Sequence, residues 1–382
     1  MRTACLLSSF MLASGCAGTE PGEGSPDAAN DVASPSPDVG AEASRETAAD
    51  TRNDTNDASA PEVCSGGTID CDGDGTCENL NSNPDHCGRC GHSCLSGACL
   101  AQQCQPFPIA TGMLFPLGVA VAGTSVYVTD FVSDPILPGS GDLVRIDADG
   151  RQTIIASGLS NPTSVWYDGT TDSLLIPSYA SSIVMSVPAH GDAGHFTPDG
   201  GGVTTVVSNH LVAPLGLASN ADWVFIGNNG GNFGDTDQVI QRRPRADLTQ
   251  FTTFDRAPGR PEYLDLDANY LYWAEQDSGR IMRMRLGADP DAGASVAEVI
   301  TSGLTHPTGI AVDGSNIYFS LAGTPHIDGG PVFGTIMRVD NQLGATAQLL
   351  VTLPGYVEDV AVDAVAIYVA GRGSGTVWKL AR

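Results

Sequence analysis

The stretch Pro307-Thr308-Gly309-Ile310-Ala311-Val312-Asp313-Gly314-Ser315-Asn316-Ile317-Tyr318-Phe319-Ser320 is one of six copies of a single pattern. The others begin at Pro116, Pro162, Pro214, Pro261 and Val357. Each copy sets two short apolar runs around a turn, most often Asp-Gly, Asp-Ala or Asn-Ala. Those residues tolerate positive φ, so each copy reads as a tight hairpin. The smallest steps, Pro116 to Pro162 and Pro261 to Pro307, are 46 residues and the largest, Pro162 to Pro214, is 52. A hairpin cannot bury its own faces, and repeats of several strands at about 40–50 residues predict a β-propeller.

A third apolar run follows in every copy, at 142–146, 182–187, 238–242, 280–285, 335–339 and 376–380. Three of these start directly after Ser-Gly and a fourth after Phe-Gly, as strands leaving a turn do. A fourth run closes some copies, as in Val299-Ile300-Thr301-Ser302-Gly303-Leu304. The last copy, 357–382, has room for three strands only, while residues 105–113 look like a detached outer strand. The chain is therefore expected to be all-β, a six-bladed propeller of four-stranded blades over 105–382. The N-terminal strand closes the last blade and so removes an exposed sheet edge.

The remainder divides into 1–16, 17–63 and 64–104. Residues 17–63 hold eleven acids against Arg45 and Arg52, and no aromatic residue. Such a segment cannot offset its ordering entropy and reads as a disordered, self-repelling linker. The whole chain of 382 residues carries a formal charge of −26 and one lysine, Lys379. That charge argues against nucleic acid and anionic membrane surfaces as partners.

Residues 4–13 are mostly apolar but too short to span a bilayer. The segment Leu12-Ala13-Ser14-Gly15-Cys16 resembles the lipobox of bacterial lipoproteins. The resemblance implies a signal peptide over 1–16, a lipidated Cys16 and anchorage in a lipid bilayer. Ala17 then implies an outer-membrane destination in the bacterial cell envelope.

Cys64, Cys71, Cys77, Cys87, Cys90, Cys94, Cys99 and Cys104 crowd one short segment. An even count in an exported chain reads as a disulfide framework whose connectivity the sequence leaves open. Two other readings stand beside it. Cys87 and Cys90 with His86 and His92 have zinc-ligand spacing. Asp70, Asp72 and Asp74, followed by Gly75, have calcium-loop spacing, with a tight acidic turn as the plainer reading. The segment resembles a cysteine-rich module of exported bacterial lipoproteins, which implies a structural stalk.

The repeats resemble the six-bladed propellers of the YWTD, NHL and gluconolactonase-like superfamily. Tyr127-Val128-Thr129-Asp130 and Tyr272-Trp273-Ala274-Glu275 carry the likeness. It implies that Arg145, Arg283 and Arg338 in the third strands pair with the motif's acid. It also implies a divalent ion, Ca2+ or another, at the channel mouth. The residues just after each copy's first position are Leu117, Thr163, Leu215, Glu262, Thr308 and Glu358. Glu262 and Glu358, with Asp265 and Asp359 nearby, are the candidate ligands, and Asn161 is nearest to the family's asparagine. The plainer reading leaves these acids solvated or paired with Arg256 or Arg260.

Asp168, Asp267, Asp313 and Asp363 recur at the hairpin turn and read as structural. The connections around 131–141, 228–237 and 322–332 are long and fall in alternate blades, as a recognition face or as tolerated insertions. Arg242, Arg243 and Arg245 read as a small solvated basic spot. No nucleophile elbow or phosphate loop is present, and no histidine has a catalytic spacing. The first expectation is thus a non-enzymatic binding or scaffolding propeller at the envelope, with an envelope protein or glycan as ligand. The alternative is a metal-dependent, gluconolactonase-like hydrolase of lactones or esters.

Overall fold

A computed structural model describes residue 64 and residues 68–131, 141–190, 194–195, 202–230, 238–256, 259–288, 297–324 and 331–382. The chain divides into two units, Met1–Ala58 and Ser59–Arg382, and every described residue lies in the second. Cys16, the linker over 17–63 and the centres of the three long connections lie outside the described residues. Among the described residues no helix is long and apolar enough to cross a membrane.

The six repeats fold as six antiparallel blades. The inner strands are Pro116–Ala122, Trp166–Asp168, Pro214–Ser219, Pro261–Leu266, Pro307–Val312 and Val360–Val362. The sixth blade runs Val360–Val362, Ala366–Gly371, Thr376–Ala381 and then Phe107–Thr111, so the N-terminal strand does close the ring. One addition has no sequence signal. Gly194–His195 pairs in parallel with Gln152–Leu159 and gives the first blade a fifth strand. The long connection inside the second blade thereby satisfies part of its neighbour's open edge.

Local chemistry explains the hairpins. Asp267 Oδ1 accepts the amides of Asn269 and Tyr270 at 2.7 and 2.8 Å. Asp363 Oδ1 does the same for Val365 and Ala366 at 2.8 and 2.7 Å. The other carboxylate oxygen accepts the Tyr272 hydroxyl at 2.6 Å and the Tyr368 hydroxyl at 2.8 Å. Each aspartate thus ties a turn to the second strand of its own blade. Asp168 and Asp313 also join blades, through ion pairs with Arg245 and Arg382 respectively.

The core lies between blades. Tyr263, Tyr272, Ile281 and Ile300 of the fourth blade pack on Ile310, Ile317 and Phe319 of the fifth. Burying each such side chain contributes about 1.5–3 kcal/mol. Inner strands approach closely at the third position of the odd repeats. There the odd blades carry Gly118, Gly216 and Gly309, while the even blades carry Ser164, Tyr263 and Asp359. A Cβ on Gly118 would lie 2.6 Å from Ser164 Cα, one on Gly216 2.3 Å from Glu262 O, and one on Gly309 2.5 Å from Asp359 Cα. Odd and even blades therefore alternate in kind.

The eight cysteines form four disulfides: Cys64–Cys77, Cys71–Cys90, Cys87–Cys99 and Cys94–Cys104. The zinc reading of Cys87 and Cys90 is thereby corrected, because their sulfurs belong to two different disulfides. His92 instead faces two backbone oxygens, Cys87 O at 2.6 Å and Arg382 O at 3.0 Å.

The basic spot is also corrected. Arg243 is fully buried and donates to Asn209, Leu248 O and Gln241 Oε1. Arg242 lies 4.7 Å over the Trp223 ring, and Arg245 holds Asp168. The aliphatic stems and planar heads of these arginines fill inter-blade space that aromatic rings line.

Candidate functional site

One face of the ring collects the residues that precede the inner strands. They are Phe115, Asn161, Ala213, Arg260, His306 and Tyr356. In all six blades the carbonyl of this residue accepts the amide that follows the second strand, from Phe131, Tyr179, Asn229, Gln276, Ala322 and Gly373 at 2.9–3.2 Å. Asn161, Ala213, Arg260 and His306 adopt left-handed φ of 49, 50, 63 and 48°. Each stands before a proline, which disfavours the right-handed helical region for its predecessor. Non-glycine residues held at positive φ carry strain that the surrounding structure must support. The mouth is therefore a fixed rim.

Blades four to six make one sector of this rim charged. Glu262 and Glu358 take the second position of their repeats and both are buried, at 5% and 8% exposure. Each meets an arginine. Arg260 Nε lies 3.0 Å from Glu262 Oε1, with both side chains nearly inaccessible. Arg372 Nη1 lies 2.7 Å from Glu358 Oε1, and the Arg372 side chain is about one-third exposed. Burial pushes the Glu262 carboxyl up to about 7; Arg260 opposes this, and Glu358 and Asp277 reinforce it. Burial alone would lower Arg372, but the Glu358 carboxylate beside it leaves it raised. Asp277, pushed up by burial, faces Arg260 and His306.

The two other candidate ligands serve the ring. Asp265 Oδ2 accepts the amide of Val312 in the next blade at 2.6 Å, and Oδ1 accepts Leu266 N at 2.7 Å. Asp359 Oδ2 accepts Val119 N at 3.0 Å and Oδ1 accepts Val360 N at 2.8 Å. Burial pushes Asp265 up to about 7 against these amides, and pushes Asp359 well above its ordinary range. Asn161 sits on the rim and offers its carbonyl to Tyr179.

Among the described residues, no three acids or imidazoles of the mouth lie close enough to share one ion. The residues as arranged do not fit the divalent ion that the superfamily resemblance implies. Asp70, Asp72 and Asp74 do approach one another within 4.8 Å. Their oxygens cap the turn instead, Asp70 taking the amides of Gly73 and Gly75 at 2.8 and 3.0 Å. The motif's acid Glu275 is held by Arg280 of the third strand, Nε to Oε2 at 2.9 Å, but the three arginines that the resemblance singled out pair elsewhere. Arg145 pairs with Asp147 at 2.9 Å and Arg283 with Glu298 at 2.8 Å, while Asp130 accepts the amides of Leu114 and Phe115. Arg338 donates to Gln348 Oε1 at 2.9 Å.

The pairing of Glu262 matches the plainer reading of the sequence. Arg372 and the rim residues His306 and Tyr356 were not found there. The signal for the rim residues is positional, one place ahead of each repeat start.

No family profile and no curated protein matches this chain. Solved structures do match its fold. A gluconolactonase from Xanthomonas campestris aligns at TM-score 0.51 and 14% identity, over 72% of this chain and 89% of that one. A chain of a nidogen/laminin complex aligns at TM-score 0.47 and 14% identity, over 61% and 82%. Virginiamycin B lyase from Staphylococcus aureus aligns at TM-score 0.48 and 13% identity, over 73% and 98%. The likeness is one of fold. The match at TM-score 0.51, with the six blades described above, places the chain among six-bladed β-propellers and leaves activity to the site.

Proposed function

We propose that this protein is a non-enzymatic binding or scaffolding propeller. The observation that carries the reading is the state of the mouth carboxylates. Glu262 and Glu358 are each neutralised by an arginine, and Asp265 and Asp359 are each engaged by two backbone amides. A rim tied by the same backbone bond in all six blades, with the partly exposed side chain of Arg372 beside it, suits recognition of a polar ligand such as an envelope protein or a glycan. The likeness of Leu12–Cys16 to a lipobox, with Cys16 as the lipidated residue, and the acidic linker over 17–63 support display at the bacterial cell envelope, with an outer-membrane destination. A Cys16→Ser variant should leave the membrane fraction; retention there would sink the anchor.

The test of the site is thermal unfolding of the full chain with EDTA, then with millimolar calcium or manganese. Asp70, Asp72 and Asp74 are changed to Asn in a parallel sample. A binding propeller shows no shift that depends on the mouth. An ion at about 100 times its dissociation constant would add about 2.7 kcal/mol. Such a shift, lost in Glu262→Gln or Glu358→Gln, would overturn the reading in favour of a metal-dependent lactone or ester hydrolase. One observation favours that second reading. A buried carboxyl at about 7, as Glu262 has, suits proton transfer near neutrality.

A further inference from the structure

We propose that the cysteine module is the clasp of the propeller ring. The ring closes where Phe107–Thr111 pairs with Thr376–Ala381, through Thr376↔Thr111, Val377↔Ala110, Trp378↔Pro108 and Lys379↔Phe107. This seam is short and has an irregular register, and Pro108 contributes no ladder donor. If the chain began at the closing strand, side-chain packing, this short ladder and two further bonds, Met113 N to Gly375 O at 3.1 Å and Gln152 Nε2 to Thr111 O at 3.2 Å, would have to hold it.

The module grips both sides of the seam. On one side, Cys104 lies three residues ahead of the closing strand and is bonded to the buried Cys94. Cys104 also packs on a cluster that includes Val360, Ile367 and Leu380, and Leu95 packs on a cluster that includes Ala110 and Val377. Gln105 N donates to Ala98 O at 2.7 Å, and Gly97 sits where a Cβ would fall 2.2 Å from Gln105 O. On the other side, His92 is held at Cys87 O and reaches Arg382 O at 3.0 Å, directly after Thr376–Ala381. Peeling the closing strand from its partner requires the module to let go of one of them.

Ring closure is thereby linked to thiol oxidation. A dithiol that cleaves Cys94–Cys104 delivers two electrons; with two protons the sulfurs become two thiols, and the reductant closes its own disulfide. The covalent arm of the clasp is then gone, while the six repeats keep their internal contacts.

Hydrogen exchange on the full chain tests this. In a Cys94→Ser, Cys104→Ser variant, exchange in Phe107–Thr111 and Thr376–Ala381 should quicken about tenfold or more, as loss of a disulfide constraint predicts. Exchange in Tyr270–Glu275 of the fourth blade should not change. A Cys64→Ser, Cys77→Ser variant, which removes a disulfide away from the seam, should leave the closing strand protected. His92→Ala keeps every disulfide and should loosen the same two strands to a lesser degree. Unchanged exchange at the seam, or equal quickening in the fourth blade or in the distal variant, overturns the proposal. These readouts are independent of any ligand at the mouth.

Discussion

Asp359 Oδ2 accepts the backbone amide of Val119 at 3.0 Å, so one carboxylate joins the sixth inner strand to the first. Asp265 does the same between the fourth and fifth blades, taking Val312 N at 2.6 Å. These two aspartates belong to the ring's construction. Asp359→Ala and Asp265→Ala should each cost about 1–3 kcal/mol, because each leaves a buried amide without an acceptor. Denaturant titration measures this. A neutral outcome would mean that water replaces the lost oxygen.

Stability should fall as pH rises from about 5 to about 8. The folded pKa values of Asp265 and Glu262 are raised to about 7, and that of Asp255 to about 6. Below the unfolded carboxyl range both states are protonated and the folded state is not penalised. Through the raised values the folded state holds protons that the unfolded state has lost. Each such proton lowers stability by roughly 1.4 kcal/mol per pH unit. Melting curves at pH 5, 6.5 and 8 check the sign, and a rising trend contradicts it.

Arg260→Ala should destabilise the fold more at pH 8 than at pH 5. Breaking a buried ion pair costs about 3–5 kcal/mol when the orphaned partner stays charged. Glu262 escapes much of that by protonating at low pH, since Arg260 is what holds its carboxyl down. Adding Glu262→Gln should recover part of the loss at pH 8 and little at pH 5. Equal losses at both pH values would place the effect of Arg260 in packing alone.

Gly216→Ala should cost about 1–3 kcal/mol, since its Cβ would meet Glu262 O at 2.3 Å and Tyr263 Cα at 2.8 Å. Gly287→Ala has open space around it and should be close to neutral. Comparing the two melts separates close approach between inner strands from the general effect of removing a glycine.

Much of this fold was legible because its determinants are local. The turn aspartates cap their own hairpins within a few residues, so the six copies announce themselves in the sequence. The closing strand was legible by count, since the last repeat lacked an outer strand. What was not legible depends on packing between distant segments. Arg372 reaches Glu358 only because the second strand returns beside the first, fourteen residues later. Arg243 looked solvated because nothing local shows that Phe251 and Asn209 enclose it. Gly194–His195 is two residues long, too short for any alternation to register.

The alternation of odd and even blades fixes the parity of this ring. At every odd-to-even junction the glycine lies against the backbone of the next inner strand, Gly118 at Ser164 Cα, Gly216 at Glu262 O and Gly309 at Asp359 Cα. Deleting a single odd repeat would set two even blades side by side and put a Cβ where glycine now lets the backbones approach. Growth or loss by pairs would preserve every match. The ring then counts as three double blades, and removing one blade should weaken closure more than removing a pair.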